Sequence, residues 1–245
     1  MKRVTPVFAR EFSGYFNTPI GFIFVDVFLL VTGFFFFDLF KFFASEQASL
    51  RNLFMLLPWV YLFFVPAISM RLIAEEKKVG TLELLMTLPL RDWEVVLAKY
   101  IAAFIFLTVS LLLTFPLVIV VTRAAATGVG LDYGPIAGGY LGAILMGGAF
   151  LAIGVFFSSL TDNQIIAFIL SVVTTAILLL IGLPDIVEFF PPVVQRFISE
   201  LSLVSHFYSV GRGVIDTRDM IYYLSIIFLF LYFTIRSVET RKWKG

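Results

Sequence analysis

The sequence contains no cysteine, a single histidine and few charged residues. Without cysteine there is no disulfide framework, no thiolate metal site and no cysteine nucleophile. One histidine, His206, is too few for a multi-histidine metal site or for a second catalytic imidazole. Charged residues make up 14% of the 245 residues and hydrophobic residues 60%, whereas a soluble domain has about 25% and 45–50%. The composition therefore predicts an all-α polytopic membrane protein and excludes soluble and disordered classes.

Several motifs that carry enzymatic or nucleic-acid chemistry are also missing. A P-loop needs a glycine-rich backbone and a lysine around the phosphates, but the sequence has no GxxxxGK pattern and no Gly-Lys pair. It has neither the GxSxG elbow of serine hydrolases nor the HExxH pair of zinc proteases. There is no basic patch with interleaved aromatic residues, as nucleic-acid binding would require. We therefore predict a noncatalytic chain with no metal site, no cofactor of its own and no nucleic-acid partner.

Six apolar runs are long enough to cross a membrane, since a spanning helix needs about 20 mostly apolar residues. We expect them to form one transmembrane domain over residues 1–245, because no internal repeat divides the chain. A short tail at 236–245 follows the last run. The predicted spans are Ile20–Phe43, Leu53–Ile73, Val95–Val121, Ile136–Ser158, Ile165–Leu183 and Met220–Ile235.

Lysine and arginine are distributed unevenly between the two sides of these spans. The 18 cations divide into 12 on the side of the two termini and 6 on the other side. Because positive residues concentrate in cytoplasmic loops, we predict that both termini are cytoplasmic, which agrees with an even number of spans. The first apolar run is too long for the core of a cleaved signal peptide, so we expect it to act as an uncleaved anchor.

The first 19 residues have the pattern of an amphipathic helix lying in the cytoplasmic interface. Thr5 and Pro6 form a helix-start signal, an oxygen cap followed by proline at the first helical position. Pro19 is expected to end the helix before the first span. This segment could serve as a membrane anchor or as a docking element. Its apolar positions, spaced by three or four residues, are Val4, Phe8, Phe12, Tyr15 and Phe16.

The loop between the second and third predicted spans is the most charged stretch of the chain. It runs from Arg71 to Lys99 and reads RLIAEEKKVGTLELLMTLPLRDWEVVLAK. Gly80 should end an extension of the second span, and Thr81 should cap a short helix that Pro89 terminates. Asp92 is expected to cap the helix of the third span. The apolar side of so short a helix must meet lipid, the bundle or the groove of a partner protein.

The remaining segments outside the spans differ in length. Ser159–Asn163 should form a tight turn in which Thr161 or Asp162 caps the next span. The external segment 184–219 carries proline near its start and then an apolar stripe at helical spacing. This pattern predicts short amphipathic helices lying on, or dipping into, the outer leaflet before the last span. His206 is expected to be a structural histidine, in preference to a pH switch or a ligand.

Two acidic residues, Asp26 and Asp38, fall within the first predicted span. A charge at the bilayer centre costs at least about 2.5–3.5 kcal/mol, so an intramembrane acid is a candidate functional residue. Asp26 lies about two turns from the cytoplasmic start of the span, and Lys41 follows Asp38 by one turn. A structural or interfacial role is favoured for both residues, and a proton or ion path is the alternative.

Four stretches, in order along the chain, resemble type-2 ABC transporter permeases. EEKKVGTLELLMTLPLRDWEVVLAK, from Glu75 to Lys99, looks like the coupling loop of these six-span subunits. REFSGYFNTPIGFIF, from Arg10, resembles the start of their gliding-motility-type branch. SSLTDNQIIAF, from Ser158, is similar to the turn between the fourth and fifth spans. HFYSVGRGVIDTRDMIYY, from His206, is similar to the approach to the last span.

The resemblance implies a permease subunit of an ABC exporter in a bacterial inner membrane. Such subunits form a homo- or heterodimer around a translocation path and couple to separate ATPase subunits that bind ATP and Mg²⁺. An accessory membrane or periplasmic subunit is a further possible partner. The coupling loop is placed at 74–94. Residues matching the coupling motif are Glu75, Glu76, Gly80, Thr81, Glu83, Leu84 and Leu85, and those matching the interface helix are Glu11, Phe12 and Tyr15.

Two other functions stay open at this stage. The gliding-type likeness is compatible with an ATPase-driven membrane scaffold that moves no substrate. An ion-coupled carrier using Asp26 and Asp38 ranks lower, because six spans without a repeat offer little coupling machinery. Neither the residues nor the resemblance identifies a transported substrate.

Overall fold

The computed structural model of the chain describes residues 4–39, 50–81, 91–124, 133–211 and 216–241. Within these ranges the chain is helical and contains no strand, with one π-helical turn at Phe35–Leu39. The described helices are α1 (Val4–Asn17), α2 (Pro19–Phe34), α3 (Arg51–Ser69), α4 (Arg71–Val79), α5 (Asp92–Leu112), α6 (Phe115–Ala124), α7 (Tyr133–Leu160), α8 (Gln164–Leu180), α9 (Pro184–Val187), α10 (Pro192–Leu201), α11 (Leu203–Gly211) and α12 (Thr217–Arg241).

Five segments of the described ranges are long and apolar enough to cross a membrane. The fifth predicted span corresponds to α8, an apolar helix of only 17 residues. The predicted fold class, an all-α polytopic membrane protein, is confirmed. The five segments are Pro19–Phe37, Arg51–Val79, Asp92–Arg123, Tyr133–Leu160 and Thr217–Thr240.

The N-terminal helix ends where its sequence predicts. α1 stops at Asn17, and Thr18 takes an extended backbone conformation before Pro19 opens α2. Proline suits this first helical position because its missing N–H would have no partner there. The Thr18 hydroxyl donates a hydrogen bond to the Gly14 carbonyl at 2.8 Å, which closes the last turn of α1.

The helix of the second span continues past its predicted end at Ile73, and this extension ends at Gly80 as predicted. α3 and α4 are separated by a single residue, Met70, and together they form the 29-residue segment Arg51–Val79. Gly80 follows with a φ of 77°, in the left-handed region that ends helices and favours glycine. The segment 82–90, where the short coupling helix is predicted, lies outside the described residues.

The third span is not the continuous helix that its apolar run predicts. α5 ends at Leu112, a turn occupies Leu113 and Thr114, and α6 begins at Phe115. Pro116 has no N–H to donate and lies in the first turn of α6, a position where a helix tolerates proline and where a new helix often begins. At this break the Thr114 hydroxyl donates a hydrogen bond to the Leu111 carbonyl at 2.7 Å. It also lies 2.9 Å from the Tyr140 hydroxyl, with which it forms a second hydrogen bond.

Two predicted helix caps are wrong by one or two residues. The N-cap of α5 is Arg91, whose N–H donates to the Glu94 carboxylate at 2.9 Å, while Asp92 lies inside the first turn. The N-cap of α8 is Asn163, whose side-chain oxygen accepts from the Ile165 N–H at 2.9 Å. Thr161, one of the two predicted caps, instead accepts from the Asn163 N–H. Acidic and hydroxyl residues near a helix start thus identify the region but not the capping position.

Helix α7 is the centre of the bundle. Its apolar segment is the most buried of the five candidate spans, and it packs against α3, α5, α8 and α12. Small residues permit this close approach. A Cβ added at Gly154 would overlap the Ser69 side chain of α3, so only glycine fits at that crossing.

The bundle has two distinct ends. We call the end that holds α1, α4 and the last turns of α7 and α12 the α1 end, and the end that holds α9, α10 and α11 the α10 end. At the α10 end, buried His206 contacts the Asp219 carboxylate through Nδ1 at 2.6 Å and the Glu200 carbonyl through Nε2 at 3.1 Å. Its ring stacks on Tyr222 with a centroid distance of 3.9 Å. The prediction of a structural histidine is confirmed.

Candidate functional site

A buried lysine at the α1 end joins three helices. The Lys99 side chain of α5 is 2% exposed, and its Nζ lies 2.8 Å from Oε1 of Glu11 on α1. The same Nζ lies 2.7 Å from Oε1 of Glu76 on α4. Arg10 extends the group outward, with its guanidinium 4.0 Å from the Glu76 carboxylate. We call Lys99, Glu11, Glu76 and Arg10 the Lys99 cluster.

The charges of this cluster depend on one another. Removing an ammonium from water is unfavourable unless it is paired and hydrogen-bonded, and two carboxylates meet that condition for Lys99. Both carboxylates are themselves largely covered, with side-chain exposures of 18% for Glu11 and 12% for Glu76. Oε2 of Glu76 is buried with no hydrogen-bond partner in the part of the chain that the structure describes, so there this carboxylate relies on Lys99 through its other oxygen. The loss of Lys99 would leave two negative charges in one covered site.

A second contact fixes α1 against α5. Tyr15 lies one helical turn after Glu11, and its ring stacks on Phe106 at 4.4 Å. Lys99 and Phe106 are two turns apart on α5, so the two contacts lie along one face of that helix. The Arg71 guanidinium lies 5.1 Å from the centroid of the Tyr15 ring, within cation–π range. Burial raises the pKa of the Tyr15 hydroxyl. Helix α1 is therefore docked on the bundle through its Glu11 and Tyr15 side.

An open cavity adjoins the Lys99 cluster. Its volume is about 380 Å³, and its lining includes all four cluster residues together with Tyr15, Arg71, Glu75 and Thr81. Three cations and three carboxylates line it, so the cavity has no strong preference for one sign of charge. Thr81 is the last described residue before the segment 82–90, so the cavity lies at the point where the predicted coupling helix begins.

The structure brings together part of the predicted site. Glu11, Tyr15, Glu75, Glu76 and Thr81 all line this cavity, and Gly80 ends the helix beside it. Phe12 has a different role: it stacks between Phe8, at 5.6 Å, and Phe16, at 5.1 Å, along α1. The predicted coupling residues outside the described part of the chain are Glu83, Leu84 and Leu85.

The two intramembrane acids are not part of this cluster. Asp26 lies two turns into α2 on an exposed side of that helix. Asp38 falls in the π-helical turn, at a position where the side chain is not described. A transport role for either residue stays a prediction.

Sequence reasoning missed Lys99 and Arg71 as site residues, because both were counted only as loop cations. A signal was present for Lys99. It follows Val95, Val96 and Ala98 and precedes Tyr100, so an apolar environment surrounds it along the helix. A lone cation in such a stretch requires a buried counter-charge.

Comparison with known proteins places the chain in a family. The family model described as ABC-2 family transporter protein matches residues 40–209, which is more than half of the chain. No match is found among curated proteins. The match covers the helices from α3 to α11 and includes Glu76 and Lys99, although α1 lies before it. Together with the five apolar segments, it establishes that this chain belongs to the ABC-2 transporter family and is a type-2 ABC transporter permease.

Proposed function

We propose that this permease is the noncatalytic subunit of an exporter and that its α1 end faces the cytoplasm and receives a separate ATPase. The observation that carries the proposal is the Lys99 cluster, which joins α1, α4 and α5 through one buried ammonium. Helix α4 ends and α5 begins at this same end, and the segment 82–90 connects them in the sequence. Any protein that moves this segment therefore acts on helices already tied together.

The cluster gives a physical account of coupling. A displacement of α4 that carried Glu76 away from Lys99 would leave charges buried and unpaired, which is strongly unfavourable. The charges stay paired if α1 and α5 move together with α4, so this joint movement is energetically favoured. The Tyr15–Phe106 contact adds a second attachment between α1 and α5, so α1 cannot pivot freely about Glu11.

Two permease subunits are proposed to pair around the translocation path, with ATP and Mg²⁺ bound by the ATPase subunits. Large apolar side chains are exposed along α2, α8 and α12, including Leu30, Ile165 and Phe228. Such surfaces must face lipid or another membrane helix. The exposed position of Asp26 on α2 supports a protein neighbour on that side, because lipid gives a carboxylate no hydrogen-bond partner.

The first test is whether the partner ATPase copurifies with the permease. The tagged permease is purified from its native membrane, and a P-loop ATPase should copurify with it in a stable complex. ATP hydrolysis in proteoliposomes should then depend on the permease. Purification of an ATPase-free protein that carries out substrate flux by itself would contradict the proposal.

A charge reversal tests the position of the contact. Glu83→Lys should leave the protein inserted and folded but lower its association with the ATPase or its transport. Glu188→Lys is the matched control, because Glu188 is an exposed acid near the α10 end. Equal complex formation by both variants would remove Glu83 from the contact surface.

A further inference from the structure

The hydroxyl of Ser158, near the end of α7, makes three hydrogen bonds to the junction between α3 and α4. It donates to the Met70 carbonyl at 2.8 Å. It accepts from the Ile73 N–H at 3.1 Å and from the Ala74 N–H at 3.0 Å. A hydroxyl offers one proton and two lone pairs, so these contacts use its whole capacity. Ser158 is fully buried.

The position of this hydroxyl explains the break between α3 and α4. In a regular α-helix the Met70 carbonyl accepts directly from the Ala74 N–H, four residues later. Here the Ser158 hydroxyl lies between these two groups and bonds to both. Insertion of a side chain into the backbone ladder is a recognised cause of helix kinks. The joint at Met70 is thus held in its shape by a residue from α7.

A second contact lies about one turn further along α4. The Lys77 ammonium donates to the Ser159 carbonyl, which also accepts from the Ser237 hydroxyl at 3.2 Å. Carbonyls in the last turn of a helix lack partners within it, and cations are favourable there. The end of α7 is therefore attached both to α4 and to the last turns of α12. Lys77 directly follows Glu76, the residue that binds α4 to the Lys99 cluster.

We propose that Ser158 is a positioning residue that transmits the movement of α4 to α7 and α12. This inference rests on the proposed function, in which the ATPase acts on the α1 end. Ser158 bonds to both sides of the joint between α3 and α4, so a displacement of α4 is carried into the central helix of the bundle. Without the hydroxyl, Met70 and Ala74 can bond directly, and α4 keeps only the weaker Lys77 contact with α7, so its movement is transmitted less completely.

The neighbouring serine provides a matched control. Among the described residues the Ser159 hydroxyl bonds only to the Phe156 carbonyl of its own helix, at 2.7 Å, and the atom of Ser159 that contacts α4 and α12 is its backbone carbonyl. Ser158→Ala removes the three bonds to the joint, whereas Ser159→Ala leaves the contacts with α4 and α12 in place. Both serines are fully buried, so the two variants lose equivalent groups.

The experiment uses the complete complex with its ATPase in nanodiscs. The chain has no cysteine, so one introduced cysteine carries an environment-sensitive fluorophore at a single site. Val79→Cys, exposed on α4, reports on the α1 end, and Ile221→Cys, exposed on α12, reports on the far end. Both reporters should respond to ATP when the serines are unchanged. In Ser158→Ala the Val79 response should persist, while the Ile221 response falls at least about fivefold, the lower end of typical coupling between sites.

The possible outcomes separate the two proposals. A full Ile221 response in Ser158→Ala, or an equal loss in Ser159→Ala, would overturn the role of Ser158 while leaving the proposed function intact. A Val79 reporter that is silent with the serines unchanged would overturn the proposed function and this inference with it. If Ser158→Ala fails to fold, Lys77→Gln weakens the second contact between α4 and α7. Lys77→Gln should also reduce the response of the Ile221 reporter to ATP. An undiminished response in this variant would then overturn the proposal.

Discussion

The two ends of the bundle each bury a charged network, but the networks differ in what they connect. The Lys99 cluster joins residues 11, 76 and 99, which lie on three separate helices and beside an open cavity. The network at the α10 end also joins three helices, linking His206 to Asp219 and to the Glu200 carbonyl with Tyr222 covering its ring, but these helices follow one another directly within a short stretch of chain. The first arrangement can carry motion between distant helices. The second holds one local segment in place.

The largest effect is expected for Lys99→Met, which leaves Glu11 and Glu76 covered without a cation. Breaking a buried ion pair from one side typically costs about 3–5 kcal/mol of unfolding free energy. Thermal unfolding of the purified permease in nanodiscs measures the loss. Arg10→Met is the control, because the Arg10 side chain is 68% exposed and its contribution should be small. Equal losses in the two variants would show that Lys99 is not the centre of the cluster.

His206→Ala should destabilise the protein less than Lys99→Met does. It should also lower the stability of the protein without lowering its coupling to the ATPase. It removes two hydrogen bonds and leaves the Asp219 carboxylate buried, for a cost of about 1–3 kcal/mol. ATP hydrolysis per folded complex should nevertheless stay at the level of the unchanged protein, since this network connects only neighbouring segments. A loss of ATPase stimulation as large as that of Lys99→Met would eliminate the distinction between the two ends.

Asn163→Ala tests whether a substitution at the α1 end but outside the Lys99 cluster also affects coupling to the ATPase. Asn163 caps α8 from an exposed turn, and loss of such a cap typically costs about 1 kcal/mol. We expect a slightly lower unfolding temperature and normal ATPase association. Reduced association would extend the coupling surface to this turn.

Tyr15→Phe should have the smallest effect. Among the described residues the Arg71 guanidinium is a polar neighbour of the buried Tyr15 hydroxyl, but no well-formed hydrogen bond joins them, so removing the hydroxyl should cost little while the ring stays on Phe106. Stability should be unchanged or slightly higher. Tyr15→Ala, which removes the stacked ring as well, should be clearly less stable in the same unfolding measurement. Similar stability in both variants would mean that the ring contact does not anchor α1.

Much of the helical framework follows from local patterns in the sequence. Apolar runs predict the spans, and Pro19 and Gly80 mark boundaries that the structure confirms. The break at Leu113 was missed because apolar residues continue across it, and only Pro116 signals the interruption. The caps of α5 and α8 were misplaced because adjacent polar residues compete for the same role.

The connections between helices could not be predicted in the same way. Lys99 is 88 residues from Glu11 and 23 from Glu76, and Ser158 is 88 residues from Met70. Such pairs depend on how the helices pack, which no local pattern specifies. The sequence therefore predicts which segments belong to the site, including Glu11 and Glu76. It does not reveal that a buried lysine unites them.

The short helix α8 has a consequence for the membrane itself. At about 1.5 Å per residue its 17 residues extend only about 26 Å, less than the roughly 30 Å hydrocarbon thickness of an average bilayer. Its exposed side includes Ile165, Ile169 and Ile177, so lipid chains that contact this side must compress to match it. The permease should deform the bilayer unevenly around its circumference, and short-chain phospholipids should collect beside α8.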